Sequence, residues 1–297
     1  MFTSKDVMEL RKKTGAGVAD CQKALRETNG DMEKAVDFLR EKGIATAAKK
    51  ASRIAAEGIV AAKIDGATGA LVEVNCETDF VAKGDQYKEF VAGVVEYVLA
   101  NDVKDIDELI AVKNDETVAA TAKIGEKIAI RRFAKFTAEN GVVDSYIHMG
   151  GKVGVLVEIE GCTCDSAKEL AHEVALQIAA GKPLYLNAQE VPAEVIEHEK
   201  EILIAQIKND PKLASKPEQV IAKMVEGKVN KYYDENCLLN QAFVKDPAVK
   251  ISALVKQYGD KMGKTLSIKR FVRFEMGEGL EKKSNDFAAE VAEQMKK

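Results

Sequence analysis

Three short segments of this chain carry residue types whose spacing could do chemistry. The first is Cys162-Thr163-Cys164, with His148 and His172 nearby in the sequence. Thiolates and imidazoles are zinc ligands, but a structural zinc site takes two ligand pairs at C-x2–4-C spacing. No second pair occurs. The spacing is read as two thiols in a loop, and no metal site and no cofactor is assigned. Nucleophilic catalysis would need a general base, and the chain has three histidines, at 148, 172 and 198. His172 stands near Glu169 and Glu173 in a helical stretch, and His198 falls on a charged helix face. Neither marks a triad, and there is no G-x-S-x-G elbow.

The second segment is Thr14-Gly15-Ala16-Gly17. It opens a helix, and helix N-termini attract anions. It lacks both the third glycine of a dinucleotide fingerprint and the Lys-Ser/Thr of a phosphate loop, and it follows a helix instead of a strand. It reads as a helix–helix turn, so the chain shows no nucleotide site of its own. The third segment is Asn75-Cys76-Glu77-Thr78-Asp79-Phe80-Val81-Ala82-Lys83. A strand ends there, and a polar turn sets Phe80 between Asp79 and Val81. In one reading Phe80 begins a helix and packs inward. In the other the turn displays it as an anchor for a partner's pocket. Spacing alone leaves both open.

The elements around these segments must position them. At 297 residues and roughly 150 per domain, two domains are the prior. With 44 basic and 48 acidic residues the net charge is −4, which excludes a grossly basic nucleic-acid binder. No apolar run approaches the ~20 residues that span a bilayer. Residues 1–13 mix charged and apolar types, so no secretory signal is expected. Five cysteines, an odd number, are read as reduced thiols of a cytoplasmic chain.

The first ~55 residues read as a small helical module. Val7 and Leu10 make one apolar stripe. Val18, Cys21 and Leu25 make a second, and Met32, Val36 and Leu39 a third after the natural N-cap Asp31. Gly43 is expected to stop the third helix, with a linker helix over 44–57. From Gly58 the period falls to two. Val72, Val74 and Cys76 lie on one strand face, and Glu73, Asn75 and Glu77 on the other, predicting a half-buried hairpin strand. Tyr87, Phe90, Val91, Val94, Val95 and Val98 then predict a buried amphipathic helix, and a further helical stretch ends near Gly125. Arg131-Arg132, on a following strand, is read as a surface charge pair.

The next section repeats this plan. Gly141-Val142-Val143 opens a strand as Gly58-Ile59-Val60 does, and Leu156-Val157-Glu158-Ile159 matches Leu71-Val72-Glu73-Val74. A helix with Leu170, Val174 and Ile178 follows. An internal duplication, giving two α+β pseudo-repeats, is expected. Helices over 192–209 and 218–231, joined through Pro211 and Pro217, predict a protruding antiparallel hairpin. A strand over 267–276 and a final helix over 285–297 with Phe287, Ala288 and Val291 complete the chain.

In order along the chain stand Leu10-Arg11, Thr14-Gly15-Ala16-Gly17, Asp20-Cys21, Lys23-Ala24-Leu25 and Asn29-Gly30-Asp31. Val74-Asn75-Cys76-Glu77-Thr78-Asp79-Phe80-Val81-Ala82, Lys123-Ile124-Gly125-Glu126 and Ile130-Arg131-Arg132 follow. Gly154-Val155-Leu156, Lys223-Met224-Val225-Glu226-Gly227, Arg273-Phe274-Glu275 and Gly277-Glu278-Gly279 close the series. Over essentially the whole chain these motifs resemble the bacterial elongation factor Ts family.

The resemblance implies an α+β fold in four parts: a three-helix ubiquitin-associated-like module with its linker helix over 1–54, a first α+β subdomain over 55–140, a second over 141–276 and a C-terminal helical module over 277–297. The second subdomain carries the inserted hairpin at about 190–231. It implies a translation elongation factor without covalent chemistry, one that promotes exchange of GDP for GTP on elongation factor Tu. Thr78, Asp79, Phe80 and Val81 match the turn that intrudes beside the partner's magnesium site. Arg11, Gly15, Ala16, Gly17, Ile124, His148 and Phe287 are the matching partner contacts. No direct nucleic-acid or membrane contact is implied. For the hairpin two roles stay open: self-association, as a homodimer or a 2:2 complex, or a further contact with the GTPase. One departure follows Gly17, where many relatives have methionines and this chain has Val18-Ala19, so a weaker apolar contact is expected there.

Overall fold

A capping box opens the first helix. In the computed structural model, which describes residues 2–210, 213 and 216–281, Thr3 caps α1 (Ser4–Thr14) and exchanges hydrogen bonds with Asp6. Gly15, at φ 68°, ends it. Two more helices, α2 (Val18–Glu27) and α3 (Met32–Lys50), close a core of Val7, Leu10, Cys21, Ala24, Leu25 and Ala35. The expected stop at Gly43 is not there, for α3 runs unbroken to Lys50 and no separate linker helix follows. Gly43 is buried, and a Cβ on it would touch Val118 and Ala122 at 3.7 and 3.6 Å. It marks the place where another helix packs, and that packing offsets the ~1 kcal/mol helical cost of glycine.

Among the described residues, two three-stranded antiparallel sheets follow. The first orders β1 (Glu57–Asp65), β2 (Thr68–Cys76) and β3 (Ala129–Thr137). Between β2 and β3 run α4 (Asp79–Lys83), α5 (Asp85–Ala100), α6 (Ile106–Val112) and α7 (Asn114–Ile124). The second sheet orders β4 (Gly141–His148), β5 (Val153–Glu160) and, after a long excursion, β8 (Ser267–Glu275). The excursion holds α8 (Asp165–Gly181), the hairpin α9 (Ala193–Asn209) and α10 (Glu218–Asn236), and the small pair β6 (Ala242–Phe243) and β7 (Asp246–Lys250). It ends with α11 (Ile251–Met262), which the sequence reading passed over although Ile251, Leu254 and Val255 share one helical face. The expected helix over 285–297 lies outside the described residues.

Strand β2 is not half-buried. Its Val72, Val74 and Cys76 face Tyr87, Val91, Val94 and Val98 of α5, as the periodicity predicts. Its other face is covered by the second sheet, where Val60, Leu71 and Phe136 meet Val143, Leu156 and Phe274. Glu73 and Asn75 are therefore buried. A buried carboxylate must be paired, and Glu73 is. It accepts from Arg131 at 2.9 Å, Arg132 at 2.5 Å, and the Gly277 N–H at 2.8 Å. Arg131-Arg132 is thus no free surface pair. The second sheet repeats the device, with buried Glu158 accepting from Arg270 at 2.6 Å and pairing with Lys269 at 3.2 Å. Both sheets shift register directly after this glutamate. Across the interface Arg132 stacks on Phe274 and Arg270 on Phe136, each at 4.3 Å.

Cys162 and Cys164 are joined as a disulfide at the start of α8, contrary to the reading of two thiols. The bend before the helix brings their Cα atoms to 5.5 Å, within bridging range. Cys21, Cys76 and Cys237 are free and buried.

Glu73→Ala should destabilise the chain by about 3 kcal/mol, because it removes the carboxylate partner of Arg131, leaves Arg132 only the exposed Glu278, and orphans the Gly277 amide. Urea unfolding followed by circular dichroism measures this, and a loss near zero would remove the ion cluster from the stability account. Burial pushes the Cys76 thiol up to about 12. Iodoacetamide at pH 8 should therefore label Cys76 only after denaturant is added, as read by mass spectrometry.

Candidate functional site

Thr78 sets the geometry of the turn that carries Phe80. Its hydroxyl caps α4 by accepting from the Val81 N–H at 3.3 Å. Within this one-and-a-half-turn helix Ala82 is buried and Val81 packs half-buried on the α5 core. Phe80 therefore points the opposite way and is 82% exposed. It does begin a helix, but the inward-packing reading of it fails. Asp79 pairs with Lys83 one turn on at 2.6 Å, and that hydrogen bond holds its carboxyl below the usual range. The same Lys83 ammonium stands 5.9 Å from the Phe80 ring centroid. A large aromatic held in water beside a balanced ion pair is the feature expected of a docking anchor.

A second exposed apolar side chain stands at the β4–β5 turn, and the sequence reading missed it. Met149 is 74% exposed and sits at φ 48°. The turn His148-Met149-Gly150-Gly151 is tied to the first sheet, because the Gly151 carbonyl accepts from the Val60 N–H at 2.8 Å. Lys152 pairs with Glu57 at 2.8 Å. Glu57 is the register partner of Cys76, so this hairpin tip lies beside the strand end that leads to Phe80. The electrostatic pull of Lys152 on Asp79 fits that placement. An apolar residue ahead of a Gly-Gly pair was the available signal. His148 Nδ1 lies 3.0 Å from the Tyr146 hydroxyl. The Tyr146 ring also meets His172 edge-on, and His172 pairs with Asp144 at 3.1 Å.

The N-terminal turn joins the same neighbourhood through α7. Gly15, at φ 68°, has the Lys123 side chain 3.3 Å from where its Cβ would stand. Gly15 and Ala16 are half-buried, while Arg11 and Gly17 are exposed. Ile124, half-buried, closes α7 before Gly125. The loop after it touches the start of the Phe80 turn, since Glu126 and Lys127 bond to Glu77 and Thr78. The stretch from Lys123, beside Gly15, to Glu126, bonded to Thr78, thus links the two turns. Phe287 lies outside the described residues. Among those residues no group of His, Cys, Asp and Glu could hold a metal ion, and no helix is long and apolar enough to cross a membrane.

The family model described as Elongation factor TS matches residues 77–278. Elongation factor Ts of Clostridium perfringens strain SM101 is 50% identical, covering 98% of both chains. That of Symbiobacterium thermophilum is 50% identical over 99% of this chain and 98% of its own. That of Halothermothrix orenii is 48% identical over 100% and 99%. The chain belongs to the elongation factor Ts family. It is thereby a member of a family of translation elongation factors, with an α+β fold. The family-model match begins at Glu77 and so contains Thr78–Val81, Ile124 and His148. Arg11 and the Gly15–Gly17 turn lie before it, within the near-full-length matches.

The hairpin tip depends on its glycines unequally. Gly151 has φ 100°, and an added Cβ would stand 2.8 Å from Ile59 and 3.0 Å from the Val60 carbonyl, whereas Gly150 opens to free space. Gly151→Ala should cost about 2–3 kcal/mol and Gly150→Ala about 1 kcal/mol. Thermal melts of the two variants check the order.

Proposed function

We propose that this chain is the nucleotide exchange factor of elongation factor Tu. It binds the GDP-loaded GTPase, dislodges Mg2+ and promotes GDP release so that GTP can enter. The observation that carries this reading is the outward, solvated Phe80 on a capped turn, within a chain whose family is known. On this reading no residue of the chain makes or breaks a covalent bond.

The physical demand is clear. A GTPase holds GDP through backbone amides, a lysine and Mg2+. At a dissociation constant of order nanomolar and association near ~10⁶ M⁻¹s⁻¹, unaided release takes on the order of 10³ s. The factor must bind the empty GTPase better than the loaded one, and the coupling is reciprocal. A shift of about 10⁴ requires about 5.5 kcal/mol of differential binding. An aromatic anchor such as Phe80 supplies roughly 2–4 kcal/mol of that. Loss of the magnesium counter-charge on the phosphates covers the remainder. Asp79 adds electrostatic pull on the displaced groups, and Thr78 and Val81 hold the turn that carries the wedge.

Arg11, Gly15, Ala16 and Gly17 form one further contact with the GTPase, and Ile124 and His148 form others, with Met149 beside them. Phe287 contributes from the C-terminal module over 277–297. The three-helix unit over 1–54 serves as a ubiquitin-associated-like docking module. The residues over 55–140 and 141–276 act as two pseudo-repeated subdomains that hold the contacts apart. The hairpin α9–α10, with Ile202 and Val220 exposed on it, serves either self-association, as a homodimer or 2:2 complex, or a further contact with the GTPase. The protein works in the cytoplasm, with no nucleic acid or membrane as a direct partner.

Release of fluorescent GDP from elongation factor Tu, with this chain at sub-stoichiometric amounts, tests the reading. Wild type should turn over many partner molecules, and Phe80→Ala should slow release about 30- to 1,000-fold. No acceleration by wild type would overturn the exchange function. Equal acceleration by both would move the wedge away from Phe80.

A further inference from the structure

The turn carrying Phe80 is gripped from behind by the loop that follows Ile124. Glu126 Oε2 accepts from two consecutive backbone amides, Glu77 N–H at 3.0 Å and Thr78 N–H at 2.9 Å. Its Oε1 accepts from the Thr78 hydroxyl at 2.6 Å. That hydroxyl is the one that caps α4 through Val81. Glu126 thus orients the cap as well as the backbone ahead of it. The grip is reciprocal. Glu77, whose side chain is 8% exposed, accepts from the Lys127 N–H at 2.7 Å and from Arg53 at 3.2 Å. Burial alone would raise the Glu77 carboxyl, but the Lys127 amide and Arg53 outweigh it and hold it below its ordinary value.

The same loop is fastened to the end of the N-terminal module. The Lys127 ammonium reaches the Ala51 and Arg53 carbonyls at 2.7 and 3.0 Å, and Lys50 reaches the Gly125 carbonyl at 2.6 Å. An exposed ring gains binding energy only if its position is fixed before docking, because each freedom frozen on binding subtracts from affinity. A five-residue helix cannot fix itself. We infer that Glu126 is the positioning residue for Phe80: with Glu77 it forms a reciprocal carboxylate–backbone clamp that presets the wedge turn against the end of the N-terminal module. This rests on the exchange reading of Phe80.

The test combines a mutant cycle with hydrogen exchange. Glu126→Ala should lower catalysed GDP release about tenfold or more, and Glu126→Gln, which keeps an acceptor oxygen, should recover it to within about threefold. In a Phe80→Ala background Glu126→Ala should cost no more than about twofold further, because the clamp acts through the ring. In the free protein the Val81 amide should exchange about tenfold faster in Glu126→Ala while the Val94 and Val95 amides in α5 keep their protection. Unchanged Val81 exchange, or losses that multiply in the double variant, would overturn the clamp. If wild type fails to accelerate GDP release, the exchange reading falls by itself. The Val81 measurement, which needs no partner, then upholds or overturns the clamp alone.

Discussion

A carboxylate that lies between two sheets has to be neutralised there, and most of this architecture follows from how Glu73 and Glu158 meet that demand. Each sits on a central strand, buried, just before a register shift. Each draws cations from the neighbouring edge strand. One arginine serving each glutamate, Arg132 for Glu73 and Arg270 for Glu158, stacks on a phenylalanine of the opposite sheet. Charge pairing inside a sheet and cation–π contact between sheets are therefore one network. Glu73 also takes the amide of Gly277, a residue 204 positions along the chain, so the network fixes where the polypeptide leaves the second sheet.

That rigid pair of sheets gives the docking elements their placement. The Phe80 turn leaves the end of β2, and the His148-Met149 turn is hydrogen-bonded to β1 beside it. Neither turn has a core of its own. Both are exposed, and their backbone is held by strands that the buried glutamates prevent from slipping. A one-residue slip in β2 would carry Glu73 onto the α5 face and misplace Thr78 together with its cap. The N-terminal module is held differently, through packing of α3 on α7 at Gly43 and through polar ties near Lys50 and Lys127.

Much of this was legible along the chain. The periodicity of Tyr87, Val91, Val94 and Val98 gave helix α5 and its buried face, since both the period and the burial arise within one element. The match of Leu71-Val72-Glu73-Val74 with Leu156-Val157-Glu158-Ile159 fell on two central strands with the same irregularity. Gly43 was misread because a glycine that lets a neighbour approach looks, in sequence, like one that ends a helix. In sequence Glu126 is legible only as the last residue of Lys123-Ile124-Gly125-Glu126. Nothing in its neighbours says that its carboxylate reaches amides nearly fifty positions earlier.

By itself the sequence determined the α+β class, the family and the order of most helices and strands, though not α11 or the β6–β7 pair, because propensity, caps and motif order are properties of neighbouring residues. Whether the second face of a strand is also buried was decided only by tertiary structure. Alternation along β2 cannot tell that a second sheet covers the polar side, so Glu73 and Arg131-Arg132 read as surface residues until that sheet is in place. The outward direction of Phe80 was settled the same way. Ala82 and Val81 found the α5 core first, and a helix of five residues has no other side on which to place the ring.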